Sequence, residues 1–411
     1  MAPRTHFLDA GLAREAKEAL GSVSRALLRL PPQPSGDYAS GAAGIALTHR
    51  VLEDALPGRG HLERCQRAVG DAAERLASDE LDVGLFGGIA GIGWAIGAVQ
   101  AGATDDDAIV PIDDALLEAT DGPWDREYDL VSGLVGVGLY ALERLPRARA
   151  RALLERVLDR LSELAQERDE GTVWVSDPEL LPEELRGERT VPYLDCGVAH
   201  GIPGVLVLLA AAVARGIGGP GARTLLDGAV RWLLASRLPP GSAFQMPSDL
   251  IPGVPPRPSR LAWCYGDLGV GAALLSAGRA VGEPAWEAVG LEIARSAAAV
   301  SFALSGVQDA GLCHGAAGVV HVMHRLYGAT GELAFRAAAR RWLRVLLAMR
   351  RPGRAVAGFP VVVSPGAGPV SGGRPGLLAG TAGVGLVLAS ALGHEPVRWD
   401  APLLLADLVP R

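Results

Sequence analysis

Uncharged runs led by glycine alternate along this chain with stretches that carry their charge on one face. The runs open on a shared Gly-x-x-Gly pattern, found in seven places. These are Ala39-Ser-Gly-Ala-Ala-Gly44, Phe86-Gly-Gly-Ile-Ala-Gly91, Val131-Ser-Gly-Leu-Val-Gly136 and Ala199-His-Gly-Ile-Pro-Gly204, followed by Cys264-Tyr-Gly-Asp-Leu-Gly269, Cys313-His-Gly-Ala-Ala-Gly318 and Leu378-Ala-Gly-Thr-Ala-Gly383. Their first glycines stand at 41, 88, 133, 201, 266, 315 and 380, so successive repeats are 45 to 68 residues apart, room for two helices and their loops. Between them, residues 8–30, 61–78, 145–168, 221–238, 284–302 and 331–350 show the apolar spacing of surface helices, as at Leu153, Val157 and Leu161. Each repeat therefore predicts one polar-faced helix followed by one glycine-led apolar helix. Seven such hairpins can close into an all-α double ring, an α/α toroid, with residues 1–411 forming one domain.

Glycine inside a helix costs about 1 kcal/mol relative to alanine. Seven repeats at fixed spacing imply close backbone approach or special turns where the inner helices begin. Those beginnings would share one end of the ring, and a site at its mouth follows.

Charge and composition narrow the function. Acidic residues number 46 against 39 basic ones, and Lys17 is the sole lysine. A net charge of -7 argues against a general nucleic-acid binder, which needs a basic surface. Four cysteines in 411 residues do not make a disulfide framework, and the residues after Met1 do not read as a secretory leader. A cytoplasmic protein is expected, with a peripheral place at the inner face of the membrane left open. Residues 83–104 and 375–393 carry no charge and are each long enough to span a bilayer. Both are dense in Gly and Ala and contain the repeat, so they are expected as buried helices and not as spans of an integral membrane protein. Residues 170–195, 239–259 and 353–375, rich in Pro and Gly, are expected as irregular loops bordering the site.

The repeats hold the candidate chemistry. Cys264, Cys313 and His314 fall in two adjacent repeats, at the residues just before the first glycine. Thiolate and imidazole are zinc's preferred ligands, and three protein ligands leave a fourth position for water or substrate. Neighbours such as Cys313 and His314 point about 100° apart on a regular helix, so they meet one metal only at a helix start or in a loop. Each cysteine alone reads equally as a small buried hydrophobe; their shared place in the repeat favours ligation. By the same equivalence His200 and Asp129 face that cavity. His200 could act as acid or base, or bond locally at a helix start; Asp129 could orient a catalytic group or merely cap a helix. Arg260, four residues before Cys264, could stabilise an oxyanion or lie at the surface, and Tyr265 could donate a proton or pack. Cys196 lies outside the ligand positions, and Cys65, His321 and His324 are expected to be structural.

Trp263-Cys-Tyr-Gly266, Cys313-His-Gly315, Ala199-His-Gly201 and Tyr128-Asp-Leu-Val-Ser-Gly133, set among seven glycine-led helices, resemble the lanthionine synthetase C-like proteins, the cyclases of lanthipeptide biosynthesis. The resemblance runs from about Asp37 to Ala391. It implies one zinc held by Cys264, Cys313 and His314, catalytic roles for His200 and Asp129, and Arg260 and Tyr265 beside the metal. The implied reaction is Michael addition of a precursor-peptide cysteine to dehydroalanine or dehydrobutyrine, which forms a thioether ring. The implied partners are the dehydrated precursor peptide with its leader, and a dehydratase and exporter complex. Because repeats fill the chain, a stand-alone cyclase is expected. Addition of glutathione to dehydroamino acids in proteins, another zinc-thiolate transferase, and a non-catalytic peptide-binding toroid are the alternatives.

Overall fold

The computed structural model describes residues 7–100, 109–181, 186, 187, 189–361, 374–405 and 408. Among them fourteen α-helices alternate between two kinds. The outer helices are α1 (Ala10–Leu28), α3 (His61–Ser78), α5 (Val110–Ala119), α7 (Ala148–Leu164), α9 (Gly219–Ala235), α11 (Pro284–Ala299) and α13 (Leu333–Met349). The inner helices are α2 (Ala42–Ala55), α4 (Ile89–Val99), α6 (Leu134–Arg144), α8 (Ile202–Val213), α10 (Asp267–Val281), α12 (Ala316–Thr330) and α14 (Thr381–Ala391). Helix α13 shows the outer kind: Phe335, Ala338, Ala339, Trp342, Leu343 and Leu346 are buried at three- and four-residue spacing. Helix α14 shows the inner kind, with every residue from Thr381 to Ala391 buried.

The inner helices pack in chain order, α2 on α4, α4 on α6, α6 on α8, α8 on α10, α10 on α12, α12 on α14, and α14 returns to α2. That closes the toroid. The buried apolar side chains form one continuous cluster from Phe7 to Leu408.

A circuit of backbone hydrogen bonds ties the inner-helix starts together. Its members are mostly the residues two positions before each capping glycine. Ala39 N–H donates to the Phe86 carbonyl, Phe86 to Val131, Leu130 to Ala199, Ala199 to Cys264, Cys264 to Cys313, Cys313 to Leu378 and Leu378 back to Ala39, at 2.9 to 3.4 Å. No inner helix has a side-chain cap at its capping glycine. Their first free N–H groups instead reach carbonyls seven residues back, as from Ile89 to Asp82, Val135 to Tyr128 and Ala316 to Asp309. The second glycine of each repeat makes room for that folded-back segment. A Cβ on Gly269 would lie 2.0 Å from the Trp263 carbonyl oxygen, and the same oxygen six residues back meets the other six at 1.7 to 2.6 Å. The repeat is thus a steric requirement of the turn.

Three expectations need correction. The outer helix α5 has no counterpart among the six amphipathic stretches; at ten residues it offers too few turns for its period to stand out. The stretch 145–168 does not stay helical. Ala165 is extended, and Gln166–Arg168 forms β1, paired antiparallel with β2, Gly171–Val173, which packs on α9. Nor are the loops fully irregular: Leu194–Asp195 (β3) pairs antiparallel with Asp249–Leu250 (β4). Of the loop 353–375, residues 362–373 lie outside the described residues. No described helix is long and apolar enough to cross a membrane; the two uncharged stretches supply the eleven-residue helices α4 and α14.

Candidate metal centre and acid–base site

Cys264 and Cys313 meet because they hold the same place in adjacent repeats and are joined by a link of the backbone circuit. His314 follows Cys313 and precedes Gly315, the cap of α12, where the chain is not yet helical. Both side chains of the pair can therefore turn to one point. One ligand atom from each of Cys264, Cys313 and His314 lies within 4.8 Å of the others, the only such group of three among the described residues. Cys264 is buried, while Cys313 and His314 are half-buried and reachable.

The electrostatics of the trio favour a bound cation. The Cys264 thiol is held well below its ordinary range by a hydrogen bond from Cys313 and then by His314, with Arg260 adding its charge. Cys313 is pushed up by the same bond and by burial. Burial opposes charge on His314, yet Cys264 and Asp309 outweigh it and raise its pKa. Two sulfurs and one imidazole are the donor set zinc takes. Cys196 stands apart, buried with Sγ 4.0 Å from the Leu194 carbonyl and its thiol pushed well up by burial.

Beside this group, His200 Nδ1 lies 2.5 Å from Asp129 Oδ2. Asp129 comes from the segment before α6 and His200 from the segment before α8, neighbours in the circuit. Burial disfavours charge on the imidazole, but Asp129 and Asp195 together with Cys264 raise its pKa to about 9. His200 thus carries a proton at neutral pH, and its Nδ1 is committed to Asp129. Glu127 faces the same cluster, raised to about 7 by burial and then by Asp129.

Tyr265 sits with its ring centroid 6.3 Å from that of His200. Its hydroxyl donates to Asp195 Oδ2 at 2.7 Å, and burial followed by Asp195 holds the phenol well above its ordinary range. Arg260 is half-buried and close enough for its charge to act on Cys264, Cys313 and His314. All seven residues singled out in the sequence therefore converge, from four consecutive repeats.

Three acidic residues that the motifs did not single out belong to the same place: Asp195, Glu127 and Asp309, the last with Oδ2 3.8 Å from His314 Nε2. Asp195 and Asp309 had a signal, an Asp-x-Gly six residues before the capping glycine, shared with Asp82. Other candidates take structural places. His321 is buried against Asp400 at 2.9 Å, His324 stacks on Phe7, and Cys65 is buried on α3, raised to about 11 by burial.

A family model described as "Lanthionine synthetase C-like protein" matches residues 33–404. Among solved structures the chain is similar to one titled "Nisin cyclase", with a TM-score of 0.76 over 97% of this chain and 98% of that one. The two sequences are 17% identical, so this likeness speaks for the fold. None of the curated proteins matches the chain.

Proposed function

The chain belongs to the lanthionine synthetase C-like family, and on that premise we propose that it is a zinc-dependent lanthipeptide cyclase. It would add cysteine thiols of a dehydrated precursor peptide to dehydroalanine or dehydrobutyrine, giving lanthionine or methyllanthionine rings. The observation that carries this reading is the convergence of Cys264, Cys313 and His314 beside a His200 held by Asp129.

Zinc held by Cys264, Cys313 and His314 would supply a place for the peptide thiol and favour its thiolate, the reactive form, near neutral pH. As the new carbon–sulfur bond forms at the β-carbon, the alkene electron pair moves onto the α-carbon and the adjoining carbonyl as an enolate. Arg260 brings fixed positive charge to that oxygen. The α-carbon then needs one proton, which replaces in the product the one lost by the thiol. We assign that proton to His200: Nδ1 is bound to Asp129, which leaves Nε2 to face substrate. Once neutral, the same nitrogen can accept a proton from the next thiol, while Asp129 preserves ring orientation. Tyr265 acts as a wall of the site, its hydroxyl being taken by Asp195.

The partner of this chemistry is the dehydrated precursor with its leader, and association with a dehydratase and exporter at the inner face of the membrane would fit a cytoplasmic cyclase. Cyclisation leaves peptide mass unchanged and consumes one thiol per ring. Incubation with a dehydrated, cysteine-containing peptide followed by maleimide labelling tests the reading: labelling should fall by one adduct per ring with the wild type. Unchanged labelling across several such peptides, with zinc-loaded protein, would count against it.

A further inference from the structure

Three aspartates stand six residues before a capping glycine: Asp82 before Gly88, Asp195 before Gly201 and Asp309 before Gly315. Each accepts a backbone N–H of its own turn through Oδ1, from Val83 at 2.7 Å, Gly197 at 2.8 Å and Gly311 at 2.9 Å. Shaping the turn is therefore a task common to all three. Asp82 does this at the surface, where it pairs with Arg126. Asp195 is different. Its carboxyl is buried, as is that of Asp309, but its second oxygen accepts the Tyr265 hydroxyl at 2.7 Å.

The Tyr265 ring is also held against the backbone of that turn. A Cβ on Gly197 would lie 2.6 Å from a Tyr265 ring carbon, so the ring lies against a residue that must be glycine. One end of the phenol is thus fixed by Asp195 and its edge by Gly197. The residue so fixed directly follows Cys264 and stands beside His200.

Building on the cyclase reading above, we infer that Asp195 is a positioning residue of this site. It holds Tyr265 as a rigid wall next to His200, withdraws the phenol hydroxyl from proton transfer to substrate, and adds a second carboxylate behind the imidazole. The groups facing His200 are Asp129, Glu127, Asp195 and Cys264, with the Tyr265 ring alongside. Glu127, Tyr128, Tyr193 and Cys196 also lie within reach of the Asp195 charge, while His200, the Gly197 N–H, the Tyr265 hydroxyl and Arg189 draw its pKa down. Burial raises Asp195 to about 6 against their pull, so it is largely ionised at neutral pH and supports charge on His200.

The test needs no substrate, so its outcome is separate from that of the ring-forming assay. In zinc-loaded, histidine-labelled protein, the His200 resonance is assigned by its absence in His200→Gln and followed by NMR against pH. Asp195→Asn keeps an acceptor for Gly197 and removes the charge; proton affinity of His200 should fall about tenfold, one unit of titration midpoint. Asp82→Asn removes charge from an equivalent turn and should leave that titration unchanged, so a purely turn-forming role would treat the two variants alike. Should Asp195→Asn not fold, Tyr265→Phe carries the test: loss of the hydroxyl releases the ring, and the His200 resonance, which senses its ring current, should move. A His200 titration in Asp195→Asn equal to wild type, or a His200 resonance unmoved in Tyr265→Phe, would overturn the inference.

Discussion

His200 Nδ1 and Asp129 Oδ2 lie 2.5 Å apart, although 71 positions separate the two residues in the chain. The other oxygen of Asp129 accepts the Ser132 N–H at 2.6 Å. Asp129 therefore both shapes the turn before α6 and fixes the imidazole at the start of the next inner helix, α8.

Replacing Asp129 by Asn separates these tasks. Asn retains an acceptor for Ser132 and loses the charge, so burial is left to act on His200 with less opposition. The His200 titration should fall from about 9 toward or below its ordinary value of 6.5, as read by NMR. Stability follows with a definite sign. A pKa raised on folding stabilises the native state fully below 6.5, and that contribution is lost as pH rises through about 9. The stability difference between wild type and Asp129→Asn, measured by chemical denaturation, should therefore shrink across that window.

Gly269 tests the steric reading of the repeat. Its Cβ would sit 2.0 Å from the carbonyl oxygen of Trp263, the residue just before a metal-ligand candidate. Gly269→Ala should destabilise the protein by about 1–3 kcal/mol. Gly70, on the exposed side of α3, has open space where a Cβ would stand and should respond oppositely. Gly70→Ala should gain about 1 kcal/mol. Denaturant midpoints distinguish the two, and equal losses would refute the distinction.

If His200 handles the proton and does not hold the metal, its removal should separate chemistry from metal retention. His200→Gln should lower the rate of ring formation by about 10²- to 10⁴-fold while zinc content stays at the wild-type level. Loss of zinc from this variant would instead make His200 part of the metal site.

The seven-fold ring shows through in the sequence because its glycines answer to a steric demand that no other residue meets, as the carbonyl facing Gly269 shows. Repeat position then carried Cys264, Cys313, His314, His200 and Asp129 to one place. Asp195 escaped notice because aspartate before a helix commonly serves the turn, and it does so here; only the fold brings its second oxygen to Tyr265. Glu127 owes its raised pKa to burial, then to Asp129 two residues along, with Asp195 and Asp177 adding to it from elsewhere in the fold. Strands of two or three residues, such as β3 and β4, are too short to show an alternating pattern.

The most direct measurement is the metal content of the purified wild type beside Cys313→Ala, by elemental analysis. About one zinc per chain in the wild type, lost in the variant, is the predicted result for a site built by Cys264, Cys313 and His314. Wild-type protein prepared with zinc present and yet free of it would contradict the proposal that this trio activates a peptide thiol.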